Sequence, residues 1–214
     1  MRASFVLAAC AVACLPPTEA RVGNARLVDA DGVVPEVAGA LRLEIPGGDE
    51  SAIPDGAPVG LAVDREVKFG TVRALASRLR ARGIEPSYLV GRRNRVVVLR
   101  PFAAFSEPSA ATVMVSAHAD GRACVHSPLA DEGRCTDGKI LKHISGAHVR
   151  ELVREAKKVW GVEHAHVRID DDVEWGDAVR TIDGARTCCF DGDLPVSVRG
   201  LQDAPPTDGL RLLP

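Results

Sequence analysis

Apolar residues fall at helical spacing over "SGAHVRELVREAKKVWG" (145–161), where Val149, Leu152, Val153, Ala156, Val159 and Trp160 make one face. Ser145 is a candidate N-cap, Gly161 a candidate stop, and Glu155 and Lys158 can pair on the wet side. Upstream, "ATVMVSAHADGRACVH" (111–126) reads as a hairpin turning at "ADG". Downstream, "AHVRI" (165–169) predicts a strand, "DDDVEWG" a turn, "DAVRTIDGAR" (177–186) a helix burying Ala178, Val179, Ile182 and Ala185, and "LPVSVRG" (194–200) a closing strand. The same order occurs earlier. Strand "VGLAV" (59–63) enters the turn "DREVKFG", then a helix with Val72, Leu75, Ala76 and Leu79 on one face, then strand "IEPSYLVG" (84–91). Thr71 or Gly70 is the expected N-cap of that helix, and Gly83 its stop.

The two turns repeat one phrase. "VDREVKFG" (63–70) and "IDDDVEWG" (169–176) start 106 residues apart, and both run aliphatic, Asp, polar, acid, Val, charge, aromatic, Gly. Asp64 and Asp170 are placed for Asx-type turns; Val67, Val173, Phe69 and Trp175 for covering the end of a core; Gly70 and Gly176 for releasing the backbone into a helix. Nothing in the phrase requires a ligand. Strands are also expected in "GALRLEIPGGD" (39–49) and "RNRVVVLRP" (93–101), with a domain break near "PFAAFSEPSA" (101–110). The fold class is therefore α+β: two small domains, each with helices on one face of a mixed sheet, over 39–102 and 108–200, then a loose tail over 201–214.

Composition narrows the function. With 27 Lys+Arg against 29 Asp+Glu the chain lacks the basic excess of a nucleic-acid binder. "MRASFVLAACAVAC" has the charged start, short apolar run and small residues of a secretory signal, predicting a leader over 1–14 and a tether over 15–38. Cys14 is the preferred lipidation site and Cys10 the alternative. An exported protein meets an oxidising compartment, so Cys124, Cys135, Cys188 and Cys189 are disulfide candidates with three pairings open. Cys124–Cys135 is favoured, closing a short loop worth about 3 kcal/mol in the chain-entropy model.

The two phrases, each followed by a helix, a Gly-containing turn and a short aliphatic strand, resemble the periplasmic domain of the ExbD/TolR family of biopolymer-transport subunits. The resemblance covers about 111–199 nearly throughout and about 58–91 in part. It implies a non-enzymatic, exported, tandem relative in an envelope transport or energy-transduction system, in the periplasm or lipid-anchored facing it. Its implied partners are ExbB/TolQ-type or TonB-like proteins, or peptidoglycan, with a homodimer compatible and no cofactor or metal expected. The family's transmembrane helix and its proton-carrying aspartate have no counterpart here; Asp64 and Asp170 match the turn residue of the soluble domain.

A different reading makes the protein a secreted metal- or thiol-dependent enzyme. All six histidines lie between His118 and His166, "HAH" places His164 and His166 on one face of a strand, and His148 and Asp170 are further candidate ligands. Cys188 and Cys189 would be the reactive thiols. No established ligand spacing, GxSxG elbow or phosphate-cradling loop supports this alternative.

Overall fold

The computed structural model describes residues 19–36, 39–104, 109–127, 133–136, 143–189 and 192–202. The leader, Cys10, Cys14 and the tail beyond 202 lie outside them. Strands β1 (Arg21–Val22), β2 (Ala25–Arg26), β3 (Val33–Val34), β4 (Leu41–Ile45) and β5 (Val59–Val63) precede helix α1 (Phe69–Ala81), followed by β6 (Pro86–Arg92) and β7 (Arg95–Leu99). Strands β8 (Thr112–Ala117), β9 (Ala123–His126) and β10 (Gly133–Cys135) lead to α2 (Gly146–Trp160), β11 (His164–Ile169), α3 (Trp175–Arg186) and β12 (Val196–Val198). The fold is α+β, with two five-stranded mixed sheets and a small antiparallel ribbon, β1–β2. Among the described residues no helix is long and apolar enough to cross a membrane.

Each large sheet is built around three parallel strands. In the first, β5 lies between β4 and β6, so that Leu61 faces both Leu43 and Tyr88. In the second, β11 lies between β8 and β12, and Val167 faces Val115 and Val198. The central strand of each trio ends in the repeated phrase with matching bonds. The Asp64 amide donates to the Ile45 carbonyl at 2.8 Å, and the Asp170 amide to that of Ala117 at 3.0 Å. The Val67 amide then donates to the Asp64 carbonyl at 3.0 Å, and the Val173 amide to that of Asp170 at 3.1 Å. The sheets grow in opposite directions from these trios: β7 and β3 extend the first beyond β6, while β9 and β10 extend the second beyond β8.

The helices form where periodicity places them, and their apolar stripes are buried as expected for α1 and α3. Two details of α2 differ from the sequence-based expectation. Val149, Val153 and Ala156 are buried, but Val159 is 70% exposed, on a groove that it lines with Leu152, Val125 and Arg134. Glu155 pairs across to Arg134 at 2.7 Å rather than along the helix to Lys158. Ser145 does cap α2, accepting from the His148 amide at 3.4 Å. Against α2, α3 packs closely: a Cβ on Gly184 would lie 2.5 Å from the Gly146 carbonyl, so a larger residue does not fit at this spacing.

Residues 19–36 correct the expected tether. Ala20, Ala25 and Leu27 pack on the face of the first sheet away from α1, over Ala62, Leu89 and Val98, and β3 pairs with β7. Burial of this small apolar patch turns the segment into part of the sheet's covering. Another cluster, which includes Leu61, Phe69, Tyr88, Val115, Trp175 and Val198, runs through both halves of the chain.

Candidate functional site

The repeated phrase pairs with its own copy. The Phe69 amide donates to the Val173 carbonyl at 2.8 Å, and the Trp175 amide to the Val67 carbonyl at 2.7 Å. The Gly70 amide donates to the Asp171 carbonyl at 3.0 Å, and the Gly176 amide to the Arg65 carbonyl at 2.8 Å. Lys68 and Glu174 sit opposite one another as an antiparallel bridge, with their charged ends 3.8 Å apart. Every bond has its reciprocal 106 residues away, so the two corners are related by a local pseudo-two-fold axis.

This clasp explains how the helices start. A helix leaves its first amides without intrahelical acceptors. Here Lys68 and Glu174 are the N-cap residues and neither makes a side-chain cap bond, which corrects the expectation of Thr71 or Gly70. Carbonyls from the other corner take that role. The glycines permit the approach: a Cβ on Gly70 would lie 2.9 Å from Asp171 Cβ, and one on Gly176 3.2 Å from the Arg65 oxygen. Their role is close contact with the opposite strand, rather than release into the helix. Phe69 and Trp175 are fully buried, Trp175 stacking at 5.3 Å on Tyr88 from the first half, as the expected plugs of the core.

The two aspartates diverge in partner. Asp64 forms the expected Asx-type bond, accepting from the Glu66 amide at 3.0 Å, and is also bound by the Arg26 amide and guanidinium. Burial pushes its carboxyl up, but the Arg26 and Glu66 bonds outweigh that and hold it at about 2. Asp170 instead reaches His118, whose Nδ1 lies 3.0 Å from Oδ2; His118 Nε2 is 3.0 Å from Ser116 Oγ. His118 follows β8 directly, in the place Pro46 takes after β4.

The face of the second sheet that bears His164, His166 and Ser197 carries more polar groups, of which His166 and Ser197 are buried. His164 Nε2 lies 3.1 Å from Ser197 Oγ, and His166 Nδ1 also contacts that hydroxyl. Burial, and second the adjacent His166, push the His164 imidazole below its ordinary value. The structure does bring His164 and His166 together but leaves His148 on α2, and among the described residues no group of three or more His, Cys, Asp or Glu is placed to hold a metal ion. The cysteines are joined as Cys124–Cys135 and Cys188–Cys189, with S–S distances of 2.05 and 2.07 Å. Cys188 and Cys189, the candidate reactive thiols, are thus bonded to each other.

Sequence reasoning missed the buried polar anchor on α3. Asp183 Oδ1 accepts from the amides of Asp31 at 3.0 Å and Gly32 at 2.6 Å, and burial raises its carboxyl against those bonds. Arg186 donates to the carbonyls of Gly32 and Pro101, both at 3.3 Å, and lies 5.8 Å from the Phe102 ring; burial lowers its guanidinium to about 10. The only signal for this anchor was an acid and a base three residues apart on a helix, which ordinarily reads as a solvated face. No family model, no curated protein and no solved structure matches the chain.

Proposed function

We propose that the protein is a non-enzymatic, exported binding module of the ExbD/TolR type, formed by two tandem units over about 39–102 and 108–200. The observation that carries this reading is the clasp. The phrase on which the resemblance rests occurs in two corners with the same local bonding, and each corner is the docking partner of the other. The second half adds the rest of the pattern, with hairpin, helix, strand, acidic corner, helix and strand in that order. Two cysteine pairs in bonds favour an oxidising compartment and thus an envelope location.

In this role the protein recognises a protein or cell-wall partner and carries out no chemical step. Binding by strand addition would use an outer strand. β12 is poorly suited, because the Ala103 amide bonds to the Val196 carbonyl and the Gln202 side chain accepts from the Val198 amide. β4, with five residues, is the longest outer strand among the described residues, and the Gly48 amide already bonds to its Glu44 carbonyl at 2.7 Å, which leaves the Leu41–Leu43 stretch as the candidate edge. The test is affinity purification of the mature chain from envelope extracts, together with sedimentation on purified peptidoglycan. Co-purification of an ExbB/TolQ-type or TonB-like protein, or retention on the cell wall, is expected. Absence of both would refute the role and leave the fold untouched.

A further inference from the structure

Arg73 on α1, Arg168 on β11 and Arg199 just after β12 line a recess of about 290 Å³, completed by Ile169, Asp170 and Asp171. Its charges do not balance. Three guanidinium groups meet two carboxylates, and both carboxylates are engaged: Asp170 with His118 at 3.0 Å, Asp171 with Arg73 at 2.7 Å. Arg168 and Arg199 are exposed and have no carboxylate partner among the described residues.

The sheet sets these two arginines side by side. Val167 on β11 is level with Val198 on β12, and the Arg199 amide donates to the Val167 carbonyl at 2.9 Å, so the next positions, Arg168 and Arg199, are neighbours. Like charges opposite one another on adjacent strands oppose folding. An anion between them would relieve that repulsion. A guanidinium presents a planar fork of donors that matches the oxygens of a carboxylate or phosphate, and two forks converging on one recess can bind such a group together.

We propose that this recess is a binding site for a small oxyanion, a carboxylate or a phosphate group, held by Arg168 and Arg199 beside the Arg73–Asp171 pair. The inference does not rest on the envelope role proposed above.

The test is calorimetric titration of the full chain with inorganic phosphate and, separately, with succinate, ionic strength being held constant with potassium chloride. Saturable binding of at least one anion is expected, weakened at least tenfold in the Arg168→Gln/Arg199→Gln double variant, whose circular dichroism should match the parent. Binding of phosphate alone would assign the site to phosphoryl groups; binding of succinate alone, to carboxylates; binding of both, to oxyanions generally. No saturable heat with either anion, or an undiminished affinity in the double variant, would overturn the proposal.

Discussion

Gly70 and Gly176 hold the second positions of α1 and α3, and each lies under the backbone of the opposite corner. Adding a methyl group at Gly70 forces a 2.9 Å contact with Asp171 Cβ, whereas at Gly176 the nearest atom is a carbonyl oxygen at 3.2 Å. Overpacking costs about 1–3 kcal/mol and the gain in helix propensity returns about 1 kcal/mol. Gly70→Ala should therefore destabilise by up to about 2 kcal/mol in denaturant titration and Gly176→Ala by less than half as much as Gly70→Ala. Equal effects would contradict the unequal spacing of the two contacts. Asp64 gives a pH prediction. Its folded carboxyl is held at about 2, below the ordinary 3.8, so the stabilisation is complete above about pH 4 and is lost as pH falls through 2. The stability difference between the parent and Asp64→Asn should shrink over that window; a constant difference would show that the carboxylate is not the stabilising form. At this scale the residue types of the phrase were legible from sequence, since Asp, aromatic and Gly each suit a strand-to-helix corner. What they face was not, because a partner 106 residues away leaves no local trace.

Elements with strong periodicity were readable, and elements created by tertiary pairing were not. The helix expected over 145–161 forms over 146–160, and the hairpin turns where "ADG" directs it. The strands β1, β2 and β3 have two residues each and β10 has three, too few to show an alternation; they exist because neighbouring strands offer them bonds. Helix α3 shows the opposite limit. Its sequence looks amphipathic, yet Asp177, Asp183 and Arg186 are buried along with its apolar residues, because α2, the second sheet and the first half enclose it. Helix α2 gives a direct check. Val159→Lys should change stability by less than about 0.5 kcal/mol, as for an exposed site, while Val149→Ala, in the buried stripe, should cost more than about 1 kcal/mol. Comparable losses at both positions would place the helix end against a core.

Across the whole molecule, the N-terminal and C-terminal halves share one apolar core, and the clasp and the anchor of Asp183 and Arg186 on the segment Asp31–Gly32 are polar links between them. Asp183→Ala removes the acceptor for two amides and leaves Arg186 buried without its neighbouring charge. Leaving buried donors unsatisfied costs about 1–3 kcal/mol, and a loss of that order is expected by thermal or denaturant unfolding. A change below about 1 kcal/mol would show that the anchor is dispensable. Neither link could be derived from sequence, although the duplication that makes the clasp self-complementary was visible there.

Scalar coupling across hydrogen bonds tests the clasp most directly. In an isotopically labelled sample, the amide nitrogens of Phe69, Gly70, Trp175 and Gly176 should couple to the carbonyl carbons of Val173, Asp171, Val67 and Arg65 respectively. Couplings from these amides to other carbonyls, or rapid solvent exchange of all four, would contradict the pairing of the two corners.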